Sequence, residues 1–164
     1  MLRINRILAP FDFSTHAENS LMHASDLADF YEAKLYVLYV LEVIATPTID
    51  EKGHIKLRTD RDPSIIDPSR AALEQRLKDL GVVAEVRVER GPAAEEIKKF
   101  AEEKDIDLIV LASHGITGLR ARLMGSVTRV VLEDASCPIL FLKSYGKSLL
   151  EESGDGEDED LQIT

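Results

Sequence analysis

The stretch LIVLASHGITGLRARLMGSVTRVV, residues 108–131, decides how this sequence can fold. It opens with an uninterrupted apolar run, Leu108–Ala112, which is typical of a strand buried on both faces of a sheet. The run stops at Ser113-His114-Gly115. After nine further residues, the pair Gly125-Ser126 opens an apolar pattern with helical spacing. A buried strand that leads through a glycine-containing loop into a helix is typical of a parallel α/β domain.

Outward from this stretch, strand-like and helix-like patterns alternate along the chain. Strands are predicted at Ile4–Ala9, Lys34–Val40, Val83–Arg90, Leu108–Ala112 and Cys137–Leu142. Helices are predicted over Thr15–Tyr31 behind a Ser14 cap, from Asp67-Pro68 to the terminal Gly81, after Gly91-Pro92, and from Gly125-Ser126 through Val131. This alternation predicts a single α/β domain, an open parallel five-stranded sheet with helices on both faces. The alternating polar pattern of Val83–Arg90 favours a place near one edge.

The segment 41–66 is longer than an ordinary connection between such elements. Its part TIDEKGHIKL, residues 48–57, is compatible with a small hairpin turning at Lys52-Gly53. An irregular excursion over the surface is the interpretation we favour from sequence.

Composition and charge narrow the class of protein. The chain has 164 residues and a net charge of −10, and seven of its acids lie in EESGDGEDED, residues 151–160. We predict one domain over 1–146 and a disordered, solvated acidic tail over 147–164. The sequence offers no broad basic face, so nucleic-acid binding is not predicted. No apolar run is long enough for a membrane span. Cys137 is the only cysteine, which is typical of a reducing cytoplasm, so we predict a cytoplasmic location.

The unusual residues of the chain fall where a ligand crevice is expected. If strands one to three wind one way and strands four and five the other, strands one and four become central neighbours. Ligands of open parallel sheets lie outside the carboxyl ends of the strands at such a reversal. The residues leaving these two strands are Pro10-Phe11-Asp12 and Ala112-Ser113-His114-Gly115.

The residue types at this crevice suit a nucleotide. Gly115 permits a sharp turn and close approach of the backbone, and Gly125-Ser126 opens a helix whose free N–H groups favour an anion. Asp12 can accept hydrogen bonds from a ribose or a base amine, and Val40 can pack against a flat base. The same glycines also serve ordinary chain reversal, so both interpretations stand at this point.

Two further side chains near the crevice allow two roles each. His114 can contact a phosphate or hold its loop through a backbone hydrogen bond. Arg122, with Arg120, can clamp phosphates or simply be solvated at the surface.

The sequence resembles the universal stress protein family over residues 3 to about 143. The residues that carry the resemblance are RILAPFDFS (6–14), the Val88–Ala93 turn, DLIVLASHG (107–115) and LMGSVTRVVLEDASCPIL (123–140). The resemblance implies a Rossmann-like parallel sheet of order 3-2-1-4-5, similar to that of adenine nucleotide alpha hydrolases. That order agrees with the central position argued for strands one and four.

The ATP-binding branch of the family carries glycine, two residues, glycine, nine residues, then glycine with serine or threonine. This chain matches at Gly115 and Gly125-Ser126 but has Ala112 in place of the first glycine. An alanine is unstrained there if its φ is negative and strained if a positive φ is required. The resemblance implies that ATP, with magnesium carried by the nucleotide, is bound by Pro10, Asp12, Val40, Leu111, Gly125, Ser126, Val127 and Thr128.

The resemblance also implies a homodimer that pairs through the last strand, Ile139–Leu142, and acts as a regulatory module in a stress response. No convincing general base stands opposite the phosphate loop, so we expect slow ATP hydrolysis or self-phosphorylation at most. The alternatives are a nucleotide-free dimeric scaffold, favoured by Ala112 and the bulky Phe11, and an adenylate-transferring enzyme. An unknown protein partner is compatible with each.

Other chemistries are less well supported by the sequence. Asp12, Ser14 and His16 contain the residue types of a hydrolytic triad, but triad members converge from separate segments. We interpret Ser14 as a cap, Asp12 as a ligand or loop anchor, and His16 as a surface residue. The histidines show no metal-ligand spacing, so no protein-only metal site is predicted. Cys137 is interpreted as a small buried apolar residue.

Overall fold

We describe the protein from a computed structural model covering residues 3–42, 45–49, 55–59, 66–112 and 125–142, of which the two short ranges are described by their backbone alone. The strands are β1 Arg6–Phe11, β2 Lys34–Leu41, β3 Ala45–Ile49, β4 Ile55–Thr59, β5 Glu85–Arg90, β6 Leu108–Ala112 and β7 Ile139–Leu142. The helices are α1 Thr15–Tyr31, α2 Ile66–Asp79, α3 Ala93–Glu103 and α4 Ser126–Asp134. Within these ranges no helix combines the length and apolarity that a membrane crossing requires.

Five strands form one parallel sheet in the order β5-β2-β1-β6-β7. Counted along the chain without the β3–β4 pair, this is the order 3-2-1-4-5, and the predicted fold is confirmed. The winding direction reverses between β1 and β6, as expected. The polar strand β5 lies at one edge, as predicted, and β7 lies at the other.

Alternate residues of the central strand supply two apolar clusters, one on each face of the sheet. Ile7 and Ala9 pack with α1 and α2, whose Leu21 and Leu73 are fully buried. Leu8 points to the opposite face and packs in the cluster of α3 and α4. Because β1 is buried on both faces, its sequence is almost wholly apolar.

The start of α1 and the end of α2 follow the predicted capping chemistry. Ser14 caps α1, since its hydroxyl accepts a hydrogen bond from the Ala17 N–H at 3.1 Å. Gly81 ends α2 with φ +69°, and its N–H and that of Val82 bond back to the Lys78 and Leu77 carbonyls. The predicted Asp67 cap is wrong by a residue or two, because α2 begins at Ile66 and Asp67 lies in its first turn.

Two interpretations made from sequence need correction. Residues 45–49 and 55–59 are not an irregular excursion but an antiparallel hairpin, β3–β4, in which Ile49 pairs with Ile55. The proposed turn at Lys52-Gly53 lies outside the described residues. Strand β1 runs to Phe11 and not Ala9, so Pro10 belongs to the strand and pairs with Leu38 of β2.

We expect Leu21→Ala to lower the free energy of unfolding by about 2–5 kcal/mol, because the truncated side chain is fully buried between α1 and the sheet. The matched control on the same helix is Phe30→Ala, whose side chain is 80% exposed and whose loss should cost less than about 0.5 kcal/mol. Urea unfolding followed by circular dichroism measures both. Equal effects of the two substitutions would contradict the packing described for α1.

A pH dependence follows from the pair that joins the amino ends of β2 and β5. Lys34 Nζ lies 2.6 Å from Glu85 Oε2, and this hydrogen bond lowers the pKa of the Glu85 carboxyl and raises the pKa of the Lys34 amino group. A lowered carboxyl pKa contributes stability above the unfolded-state pKa, and this stability is lost as pH falls through the folded-state pKa.

We therefore expect Glu85→Gln to destabilise the protein at neutral pH and to have a smaller effect at about pH 2, because the parent carboxyl loses its charge as the pH falls. The control Glu102→Gln removes an exposed carboxylate of α3. Urea midpoints at the two pH values give the comparison. A Glu85→Gln effect that does not shrink in acid would show that its charge contributes nothing.

Candidate functional site

A cavity of about 450 Å³ opens at the carboxyl ends of β1, β2 and β6. Strands β1 and β6 pair only at Ile7–Leu108 and Leu8–Ile109, so the two strands separate before β1 ends. Pro10 lies in β1 beyond the last residue that pairs with β6. A proline suits this position because it has no N–H to donate to a neighbouring strand. The cavity therefore lies at the reversal point where the sequence predicts a crevice.

Eight of the predicted site residues line this cavity. They are Pro10, Phe11, Asp12, Val40, Leu111, Ala112, Val127 and Thr128. Gly125 and Ser126 lie directly before the last two, at the start of α4. Ser113, His114, Gly115 and Arg122 lie outside the described residues.

The start of α4 borders the cavity. Gly125 is its N-cap, with φ −56° and ψ 149°, and a glycine has no side chain with which to cap the helix. The N–H groups of the first turn have no partner within a helix, and the helix dipole makes this end positive. Because Val127 and Thr128 line the cavity, this end of α4 is suitably placed to meet an anion there.

Ala112 occupies the position where the resemblance expected a glycine. It is the last residue of β6 and pairs with Leu142 of β7. In the described part of the chain, positive φ at residues other than glycine occurs at Phe13, Glu32 and Asp105, and not at Ala112. The alanine backbone is therefore unstrained, and the cavity is present with the Ala112 methyl and the Phe11 ring in its wall.

The turn from β1 into α1 is held by polar side chains of the site. Asp12 Oδ1 accepts hydrogen bonds from the Ser14 N–H at 3.0 Å and from the Ser14 hydroxyl at 2.5 Å. The Ser14 oxygen in turn accepts from the Ala17 N–H. The interpretations of Ser14 as a cap and of Asp12 as a loop anchor agree with these bonds, and Asp12 is exposed at the cavity.

The prediction that His16 is a surface residue is wrong in part. Its side chain is half-buried and lines the cavity together with Ala17 and Ser20. Helix α1 begins beside the crevice, so residues 16, 17 and 20 share the face that looks into it. Ser20 is almost fully buried, and its hydroxyl donates to the Ala17 carbonyl at 2.9 Å.

Several lining residues of the cavity are not among those predicted from the sequence. They are Ser14, His16, Ala17, Ser20, Leu38, Tyr39, Glu42, Ala93 and Ile97. The strand-end position of Tyr39, one residue before Val40, is a signal that would have found it. The contribution of Ala93 and Ile97 depends on how α3 crosses the sheet, which the sequence pattern does not specify.

The cavity has an aromatic side and an aliphatic side. Phe11 and Tyr39 line it from the face of the sheet that carries α1, and the ring of Phe13 lies between them. Val40 and Leu111 line it from the opposite face. A flat apolar group can thus be enclosed here beside the polar turn and the start of α4.

Outside the cavity, burial raises the pKa of the half-buried Cys137 thiol, so this side chain is a neutral, largely apolar group near pH 7. In the described ranges no group of three or more His, Cys, Asp or Glu side chains is arranged to hold a metal ion.

The chain resembles known proteins in sequence and in fold. A family model described as the universal stress protein family matches residues 3–143. Universal stress protein MJ0531 of Methanocaldococcus jannaschii is 30% identical over 142 residues, which cover 87% of this chain and 84% of that protein. Universal stress protein YxiE of Bacillus subtilis is 29% identical over 150 residues, covering 85% of this chain and 99% of the relative.

Solved structures share the fold. UspA from Lactobacillus plantarum superposes with a TM-score of 0.65 at 24% identity, covering 87% of this chain and 99% of that structure. A universal stress protein solved in complex with cAMP gives 0.61 at 20% identity, with 86% and 98% covered. The family match spans nearly the whole described fold. The chain therefore belongs to the universal stress protein family.

Proposed function

We propose that this universal stress protein binds ATP, with magnesium carried by the nucleotide, and acts as a homodimeric regulatory module in a stress response. The observation that carries the proposal is the cavity between the separating ends of β1 and β6, bordered by the start of α4. The volume of about 450 Å³ lies within the range of small-molecule sites.

The chemistry of the walls supports a particular orientation of the nucleotide. The start of α4, from Gly125 to Thr128, offers N–H groups to the phosphates. Ser113, His114, Gly115 and Arg122 are assigned to the same phosphate side on the basis of sequence. The base packs between Val40 and Leu111, and Asp12 accepts a hydrogen bond from the ribose or a base amine.

A relative supports the ligand class. One universal stress protein of the same fold has been solved with cAMP, an adenine nucleotide. The aliphatic wall of the present cavity is suited to an adenine ring, and the helix start is suited to a phosphate. We propose ATP because the spacing of Gly115 and Gly125-Ser126 matches the ATP-binding branch.

Turnover in this site is proposed to be slow hydrolysis or self-phosphorylation of a nearby Ser or Thr at most. The Asp12 carboxylate, the acid beside β1, already accepts two hydrogen bonds from Ser14. A group held in this way positions a turn and is not poised to remove a proton from water. The proposed activity is therefore binding followed by a change in affinity for a protein partner, in the cytoplasm.

A nucleotide-free dimeric scaffold is the second candidate. It is favoured by the Ala112 methyl and the Phe11 ring, which both stand in the cavity wall. The negative φ of Ala112 and the open volume beside it favour the nucleotide instead.

We expect calorimetric titration with Mg-ATP to give saturable binding, and Val127→Asp to weaken it at least about tenfold, because a carboxylate in the first turn of α4 repels phosphate. The matched control is Val83→Asp, the same substitution at a 92% exposed position before β5. Absence of heat with folded parent protein, together with binding created by Ala112→Gly, would establish the scaffold alternative instead.

The proposed dimer pairs two copies of β7 edge to edge. Ile109 of β6 donates to the Pro138 carbonyl, so the N–H of Ile139 faces away from the sheet. We expect Ile139→Pro to produce a folded monomer in sedimentation velocity, because it removes an outward donor at this edge.

The control for the dimer is Val86→Pro, which removes an outward donor from β5 at the other edge of the sheet. The N–H of Gly91, directly after β5, donates to the carbonyl of Leu41 in β2. Because N–H directions alternate along a strand, the Val86 N–H lies on the outer side. This variant should remain dimeric. A dimer that survives Ile139→Pro and dissociates with Val86→Pro would place the interface at β5 and contradict the proposed pairing through β7.

A further inference from the structure

Phe13, in the turn between β1 and α1, has an unusual backbone conformation with φ +62°. In the described ranges, the other two residues with positive φ besides glycine are Glu32, which directly follows α1, and Asp105, the second residue after the end of α3. There the left-handed residue closes the end of a helix through backbone hydrogen bonds. Phe13 closes no helix, and for a bulky side chain this conformation is costly.

The ring of Phe13 makes two aromatic contacts that offset this cost. Its centroid lies 5.2 Å from that of Phe11 and 5.0 Å from that of Tyr39, with interplanar angles of 69° and 83°. These are favourable edge-to-face arrangements. Phe11 and Tyr39 line the cavity from adjacent strands, whereas Phe13 is not a lining residue.

The backbone on either side of Phe13 belongs to the site as well. The hydrogen bonds from Ser14 to Asp12 close the turn around Phe13. The φ of Phe13 therefore sets two things together: the direction of its ring and the position of the Asp12 carboxylate at the cavity. With 40% of its surface exposed, the Phe13 side chain is not a core residue.

We propose that Phe13 is a positioning residue: its ring braces Phe11 and Tyr39, and its left-handed backbone holds Asp12 at the cavity. The wall of the site is thereby ordered before any ligand arrives, and an ordered wall lowers the cost of binding. The effect on ligand affinity rests on the proposed ATP function. The bracing itself does not, so the two parts can be tested separately.

Three substitutions at this position separate the ring from the backbone. Phe13→Tyr keeps the aromatic ring. Phe13→Ala removes the ring but keeps the energetic cost of a positive φ. Phe13→Gly removes both the ring and this cost, because glycine adopts positive φ without strain. The matched control is Phe30→Ala, which removes an 80% exposed ring near the end of α1. Thermal unfolding of every variant establishes that it is folded.

The first readout needs no ligand. We expect the ring resonances of Tyr39 and the amide resonance of Ser14 to move in Phe13→Ala and Phe13→Gly, because ring-current shifts and the turn geometry are lost. They should stay in place in Phe30→Ala, and Phe13→Tyr should keep the Tyr39 shifts. Unchanged Tyr39 resonances in Phe13→Gly would overturn the bracing.

The second readout is Mg-ATP affinity by calorimetry. We expect Phe13→Ala and Phe13→Gly to bind about tenfold more weakly than the parent, and Phe13→Tyr and Phe30→Ala to bind like it. Parent-like binding by Phe13→Gly would overturn the positioning role. If the parent itself binds no ATP, the proposed function fails, and the resonances of Tyr39 and Ser14 still decide the bracing.

Discussion

The separation of β1 from β6 after Leu8 is the constraint on which the rest of the crevice depends. Parallel strands that stayed paired to their ends would leave no space between them. Here pairing stops after two residues, while β1 continues beside β2 for its whole length. A proline two positions beyond the last pair has no donor to lose, and the space opens where the chain reverses its winding.

Residues that stabilise the fold at the carboxyl ends of the strands also form the site. Ser14 caps α1, bonds to Asp12 and lines the cavity. Thr128, 6% exposed, belongs to the first turn of α4 and lines the cavity from the other face. Stability and site geometry are therefore not separable at these positions, and substitutions there have to be read against the folding of each variant.

Much of the fold could be predicted because its signals are local. The apolar run Leu108–Ala112, the Ser14 cap and the glycine after α2 each depend on a few neighbouring residues, and each was placed within about two residues. The hairpin of β3 and β4 was the less favoured interpretation, since five-residue strands that include a proline give a weak strand pattern.

The site was only half predictable, for a related reason. Residues at strand ends could be named from the winding rule, and Phe11, Asp12 and Ala112 lie where that rule places them. His16, Ser20 and Ile97 reach the cavity through the angles at which helices cross the sheet, and these angles follow from packing over long sequence separations. The left-handed backbone of Phe13 had no sequence signal, because such a position ordinarily carries glycine or asparagine.

The cavity touches both apolar clusters of the protein, Phe11 and Ala17 from one and Leu38 and Ile97 from the other. A molecule bound there would contact both apolar clusters and so link the two halves of the core. Since a ligand that binds only the folded state shifts the folding equilibrium by mass action, occupancy would protect both faces of the sheet from opening. The lifetime of the protein in a cell would then depend on the concentration of the small molecule that binds in this cavity.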